Sequence, residues 1–122
     1  EFNSPSVVKV VFDYKNFALY FSRSPIPFVR DANSEMEMLE KANVYKHVGL
    51  YVYRKEYLLK FTKLEPTDLE QWEKLEQLRM LENGFKVKIV ETEYDSFSVD
   101  TPEDLEKARK IYSKLKKIEL AK

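Results

Sequence analysis

Asp100 has the most suggestive surroundings of any residue in the chain. It stands in Ser98-Val99-Asp100-Thr101-Pro102-Glu103-Asp104-Leu105, a stretch that reads as the end of a strand running into a helix. Thr101 is a favourable N-cap residue and Pro102 suits the first helical position. Glu103 and Asp104 put negative charge in the first turn, where the helix dipole favours it. Asp100 therefore falls at the carboxyl edge of a strand, the edge at which ligands bind in open α/β sheets. The same octet also serves as an ordinary helix start, with Asp100 a local hydrogen-bonder. Arg23 follows a strand and precedes Ser24-Pro25-Ile26-Pro27. That is a rigid placement for a guanidinium that either grips a carboxylate or phosphate bidentately or stands in solvent. His47 is the only histidine, which argues against His-cluster metal sites and a Ser-His-Asp triad. A lone strand histidine is also a common structural residue. Helical spacing puts Glu73, Gln77 and Met80 roughly on one face, with Glu76 and Arg79 on the next. Beside Glu70 these read as a solvated charged face, with Trp72 and the neighbouring leucines as core.

Composition limits the functions open to these residues. A chain of 122 residues, 43% hydrophobic, is long enough for one domain with a real core. Charged residues reach 34%, yet 21 basic and 21 acidic residues cancel. A neutral chain carries no electrostatic footprint for nucleic acid or an anionic membrane. There is no cysteine, which excludes disulfides and thiolate metal sites and permits a cytoplasmic home. No apolar run approaches the length of a transmembrane helix, and no signal peptide is read. Two glycines leave no Gly-rich phosphate loop. The first residue, Glu1, is not a methionine, so a processed or trimmed piece of something longer is expected.

The elements that must position these residues follow from the patterning. Ser6–Phe12 is β-branched and apolar, hence a strand, and Phe17–Ser22 is a second one across the turn residues Asp13–Asn16. Each residue before a proline avoids the α region, so Arg23–Pro27 is extended. Residues 30–43 form a polar excursion in which Ser34–Lys41 makes a short helix with a Met/Leu face. Tyr45–Tyr53 reads as the clearest strand, with Gly49 inside it marking a bulge or a close approach. Arg54–Lys63 reads as a helix. Thr67-Asp68-Leu69-Glu70 is a capping box. The helix it opens carries Leu69, Trp72, Leu75, Leu78 and Leu81 at helical spacing and ends at Asn83-Gly84. Phe85–Thr92 alternates as a strand with one wet face, and residues 93–98 form a loop. The last helix runs from Pro102 to about Leu120, with Leu105, Ala108, Ile111, Tyr112, Leu115 and Ile118 as its buried stripe. This order, with no repeat and no linker, makes the chain α/β.

Several of these stretches together resemble one family. Val7-Val8-Lys9-Val10-Val11 comes first, followed by Ala18-Leu19-Tyr20-Phe21-Ser22-Arg23-Ser24-Pro25-Ile26-Pro27 and Lys46-His47-Val48-Gly49-Leu50-Tyr51. Leu75-Glu76-Gln77-Leu78-Arg79 with Glu82-Asn83-Gly84, and then Val99-Asp100-Thr101-Pro102-Glu103-Asp104-Leu105, complete the set. In that order and spacing they look like the C-terminal half of 3-deoxy-manno-octulosonate cytidylyltransferase (CMP-Kdo synthetase), over nearly the whole chain. The resemblance implies the C-terminal portion of a Rossmann-like nucleotidyltransferase, a three-layer fold with a mixed sheet. Residues 1–122 would form a single region, the sugar-binding and dimerisation half. The family transfers cytidine monophosphate from CTP to the anomeric hydroxyl of the eight-carbon sugar acid Kdo, releasing pyrophosphate, for lipopolysaccharide synthesis. It uses magnesium, which takes hard oxygen ligands. By resemblance Asp100 is the catalytic, metal-binding carboxylate, and Arg23, His47, Tyr51, Glu76 and Gln77 form the sugar-acid pocket. A bacterial cytoplasmic homodimer is implied, with no nucleic acid or membrane partner.

Two departures stand out. The family's nucleotide-binding half, with its phosphate loop and second metal carboxylate, has no counterpart here, so this chain alone is expected to be inactive. Ser98 also replaces the glycine usual before Val-Asp-Thr-Pro, and its Cβ is expected either to narrow the approach to Asp100 or to shift its strand end. A non-catalytic module that binds a sugar acid or only self-associates stays open as the alternative.

Overall fold

Asp13 makes the first reversal. Its Oδ1 accepts from the backbone N–H of Lys15 (2.8 Å) and Phe17 (2.9 Å), and Asn16 takes the left-handed conformation at φ 61°. The flanking apolar runs pair across it as strands β1 (Lys9–Phe12) and β2 (Ala18–Ser22), antiparallel, with Val10 opposite Phe21 and a bulge after Val11. A two-residue strand, β3 (Tyr45–Lys46), joins the other edge of β1, giving the order β2-β1-β3. The computed structural model describes residues 2–94, 99 and 101–120. Ser98 and Asp100, and the side chain of Ile118, lie outside the described residues. Among the described residues the sheet is antiparallel throughout, so the parallel pairing of a mixed sheet is not seen in it.

Helices complete the α/β architecture. They are α1 (Glu35–Lys41), α2 (Lys55–Phe61), α3 (Asp68–Glu73), α4 (Gln77–Glu82) and α5 (Pro102–Leu120). Ser34 caps α1, its Oγ accepting from the Glu37 N–H at 3.2 Å. The chain divides into two compact units, residues 1–91 and 92–122. In the first, Val10, Phe21, Leu75 and Leu78 form the buried centre, with Tyr20, Tyr45, Leu69, Leu81, Val87 and Ile89 packed around them. In the second, Thr101 and Asp104 exchange hydrogen bonds at the start of α5: Asp104 N–H donates to Thr101 Oγ1 (3.2 Å), and the Thr101 hydroxyl donates to Asp104 Oδ2 (2.9 Å). The stripe expected to be buried on α5 is exposed at Leu105, Ile111, Tyr112 and Leu115.

Three elements differ from the sequence expectation, each for a local reason. The helix expected from the capping box at Thr67 to Asn83 is two helices, because Lys74 adopts φ 54°, ψ 48° and ends α3. That break turns Trp72 outward, 75% exposed, while Leu75 and Leu78 stay buried. The strand expected over Tyr45–Tyr53 stops at Lys46, and Gly49 takes φ +82°. Residues 85–90 keep the burial alternation of a strand, but only the Phe17–Lys88 bridge forms. A Cβ on Gly49 meets nothing closer than His47 Cε1 at 3.8 Å, so Gly49→Ala costs only the left-handed backbone, about 1 kcal/mol. A urea melt is expected to show that loss, and an unchanged midpoint would contradict it.

Candidate functional site

Truncation of the third strand brings two of the predicted site residues together. In an extended strand, residues 47 and 51 lie about 13 Å apart. The bend at Gly49 brings the Tyr51 hydroxyl to 2.7 Å from His47 Nε2. A neutral imidazole carries its proton on either ring nitrogen, so the pair presents one donor and one acceptor in either sense. The His47 ring packs edge-on against Phe21 of β2 at 5.1 Å, and its backbone N–H donates to Val8 O at 2.9 Å. Tyr51 leads to Tyr53, and Tyr53 stacks on Phe61 of α2. The Phe61 ring in turn carries the Arg79 guanidinium at 4.8 Å. A segment without ladder hydrogen bonds is thus held by an aromatic row.

Burial raises the Tyr51 hydroxyl well above its ordinary value, so it stays protonated. Tyr53 is raised too, first by burial and then by the charge of Glu76. Burial lowers the His47 imidazole below its ordinary 6.5. Because the unfolded chain takes up that proton more readily, stability conferred by neutral His47 is fully present above about pH 6.5 and is lost as pH falls toward the lower folded value. The urea midpoint is therefore expected to fall between about pH 7.5 and about pH 5.5. His47→Gln should flatten that part of the profile, and an unchanged slope in the variant would exclude His47 as its source.

The helix break places the other predicted residues. Glu76 is exposed just before α4, within electrostatic reach of Tyr53. Gln77 opens α4 and is 8% exposed, and its Nε2 has no hydrogen-bond partner among the described residues. Buried amide donors are rarely left unpaired, so this one is set to receive an acceptor. Arg23 is engaged with main chain: Nε donates to Glu73 O (2.7 Å), Nη1 to Pro5 O (2.9 Å) and Nη2 to Lys74 O (3.3 Å). Two of its five N–H donors remain for an anion. Asp100 lies outside the described residues, and among those described no three His, Cys, Asp or Glu side chains are grouped to hold a metal ion.

Some buried charges were missed or misread from sequence. Lys9 is 1% exposed, and its Nζ donates to the carbonyls of Ser4 (3.0 Å), Val7 (2.6 Å) and Arg23 (2.5 Å). Its only sequence signal is a lysine inside an unbroken apolar run, the mark of a strand buried on both faces. Glu70 and Glu73 do not lie on a solvated face. Glu70 is 7% exposed and forks onto Arg79, whose Nε lies at 2.7 Å and whose Nη2 pairs with its other oxygen. Glu73 accepts from Ser22 Oγ (2.6 Å), the Arg23 backbone N–H (2.9 Å) and Tyr20 OH (3.3 Å). Burial pushes the Glu73 carboxyl up, but those hydrogen bonds hold it below its ordinary value.

The small antiparallel sheet with its flanking helices is a fold that comparison with known proteins places. Residues 1–120 match the cytidylyltransferase family, and the chain belongs to it. It is 54% identical over 121 residues to the 3-deoxy-manno-octulosonate cytidylyltransferase of Geotalea uraniireducens, covering 96% of this chain and 47% of that protein. Against the enzyme of the same name from Geobacter sulfurreducens it is 54% identical over 120 residues, covering 95% and 47%. A solved structure of CMP:2-keto-3-deoxy-manno-octonic acid synthetase complexed with CTP superimposes with a TM-score of 0.80 at 42% identity, covering 91% of this chain and 43% of that one. The chain spans about half the length of the curated relatives it matches.

Proposed function

We propose that this chain is the sugar-acid-binding and dimerisation half, the C-terminal half, of a 3-deoxy-manno-octulosonate cytidylyltransferase. The reaction joins CMP from CTP to the anomeric hydroxyl of Kdo and releases pyrophosphate, which activates the sugar for lipopolysaccharide synthesis in the bacterial cytoplasm. The observation that carries this reading is the family match over residues 1–120, and the geometry agrees with it at Gln77. Its buried, unpartnered Nε2 offers a donor for a sugar oxygen. The His47–Tyr51 pair offers a donor and an acceptor for hydroxyls, and the free donors of Arg23 suit the sugar carboxylate. Glu76, exposed beside Tyr53, suits a further hydroxyl. Asp100 is the carboxylate proposed to take part in catalysis as a magnesium ligand, together with a carboxylate from the nucleotide-binding half. A carboxylate is the hard oxygen donor magnesium prefers, and the bound ion would polarise the α-phosphate of CTP. Exposed Leu19 on β2 and Leu50 and Val52 beyond β3 supply apolar surface for a homodimer. No helix among the described residues is long and apolar enough to cross a membrane.

The test is calorimetry with Kdo, paired with pyrophosphate release from CTP, Kdo and magnesium. The 122-residue chain is expected to bind Kdo and not to turn over. Robust turnover by it would overturn its assignment as half of an enzyme. Absence of Kdo binding would overturn the site. Failure of the full-length protein to act on any ulosonic acid would overturn the reaction.

A further inference from the structure

Arg23 is the first residue beyond β2 (Ala18–Ser22), where the ladder no longer satisfies its main chain. Both of its peptide groups nevertheless end on charged side chains. Its N–H donates to Glu73 Oε2 at 2.9 Å, from α3 (Asp68–Glu73), and its carbonyl accepts from Lys9 Nζ at 2.5 Å, from β1 (Lys9–Phe12). Glu73 Oε1 takes the Ser22 hydroxyl at 2.6 Å, while Ser22 Oγ accepts the Ser24 N–H at 3.0 Å. The guanidinium is aimed by the same residue, through Nε to Glu73 O at 2.7 Å. We propose that Glu73, with Lys9 opposite it, is the positioning residue of the sugar-acid site and sets where Arg23 stands. The ligand in this proposal rests on the function proposed above; the clamp itself does not.

Both charged groups are engaged by the protein itself. All three Lys9 donors are used on carbonyls, and both Glu73 oxygens accept hydrogen bonds, Oε1 from Tyr20 and Ser22 and Oε2 from the Arg23 N–H. Charge-assisted hydrogen bonds are about twice as strong as neutral ones, so one on each of the two peptide units that flank the Arg23 Cα defines its position closely. A small displacement of a positioned guanidinium costs binding out of proportion to its size. The two charges come from elements far apart in sequence; the Glu73 carboxylate offsets the burial of Lys9, and the Arg23 charge with the hydrogen bonds of Ser22, Arg23 and Tyr20 offsets that of half-buried Glu73, as burial requires.

Glu73→Gln keeps the shape and turns one acceptor into a donor facing the Arg23 N–H or the Ser22 hydroxyl. At a temperature where wild type and variant are both folded by circular dichroism, the Kd for Kdo is expected to rise about tenfold. Leu81→Ala, whose side chain packs on the core and makes no hydrogen bond, is the control for destabilisation alone and should leave Kd unchanged. Hydrogen exchange is expected to quicken at the Arg23 amide in Glu73→Gln while the Val10 and Tyr20 amides, within the strand ladder, stay protected. Wild-type Kd in Glu73→Gln, or an equal rise in Leu81→Ala, overturns the proposal. Should wild type itself not bind Kdo, the function proposed above fails and exchange alone decides the clamp: selective loss at Arg23 supports it, and unchanged protection overturns it. If Glu73→Gln does not fold, Ser22→Ala removes a single donor to the carboxylate. A Kd about threefold higher supports the proposal and an unchanged Kd overturns it.

Discussion

Arg79→Ala is expected to cost about 3 kcal/mol of folding stability, read as a lower urea midpoint at unchanged slope. Arg79 is 16% exposed at its side chain, and its guanidinium does three things at once. It forks onto Glu70, donates from Nη1 to Leu64 O at 3.3 Å, and covers the Phe61 ring. Truncation leaves Glu70 buried with only the Thr67 N–H, at 3.1 Å, as donor. Removing one member of a buried pair is far more costly than removing both. The double variant Glu70→Gln, Arg79→Met is therefore expected to recover much of the loss, and strict additivity of the two single losses would argue against the coupling. The Arg79 hydrogen bonds also hold the Glu70 carboxyl below its ordinary 4.5. The stability this confers is complete above about pH 4.5 and falls away as pH drops toward the lower folded value. That acid-limb contribution should vanish in Arg79→Ala.

Tyr51→Phe is expected to raise the Kd for Kdo about tenfold. The variant keeps the ring contacts to His47 and Tyr53 and deletes the hydroxyl at 2.7 Å from His47 Nε2. His47→Ala should do the same, because either change removes the oriented donor–acceptor pair rather than an independent contact. In a double-mutant cycle the two together are expected to cost little more than one alone. Calorimetry on the four proteins measures this directly. Two fully additive losses would mean that His47 and Tyr51 act separately, and wild-type affinity in both would remove the pair from the site.

The contrast between these residues shows what patterning can carry. The hairpin, the short helix after Ser34 and the capped start of α5 were legible because each depends on residues a few positions apart. The break at Lys74 was not: a lysine there has no sequence mark for φ 54°. In a continuous helix Glu70 and Arg79 would stand about 13.5 Å apart along the axis, so their pairing is invisible until the helix is known to fold back. Trp72 was misplaced by the same assumption, since it fits the leucine spacing perfectly but ends on the outer side. That Arg23, His47, Tyr51, Glu76 and Gln77 belong to one sugar-acid pocket is implied by the family resemblance alone. The contact between His47 and Tyr51 was not legible, because a strand keeps them apart and only the bend at Gly49 joins them.

The hydrogen bond between Ser22 and Glu73 spans 51 residues of sequence. Everything between them is a loop that folding must close, at an entropic cost set by its length, and Arg23 and Gln77 flank its two ends. A sugar acid that touches both is then a reversible staple across that loop. At a hundred times its Kd such a ligand adds about 2.7 kcal/mol to the folded state by mass action. Occupancy of the site and retention of the fold are thereby one equilibrium seen from two sides.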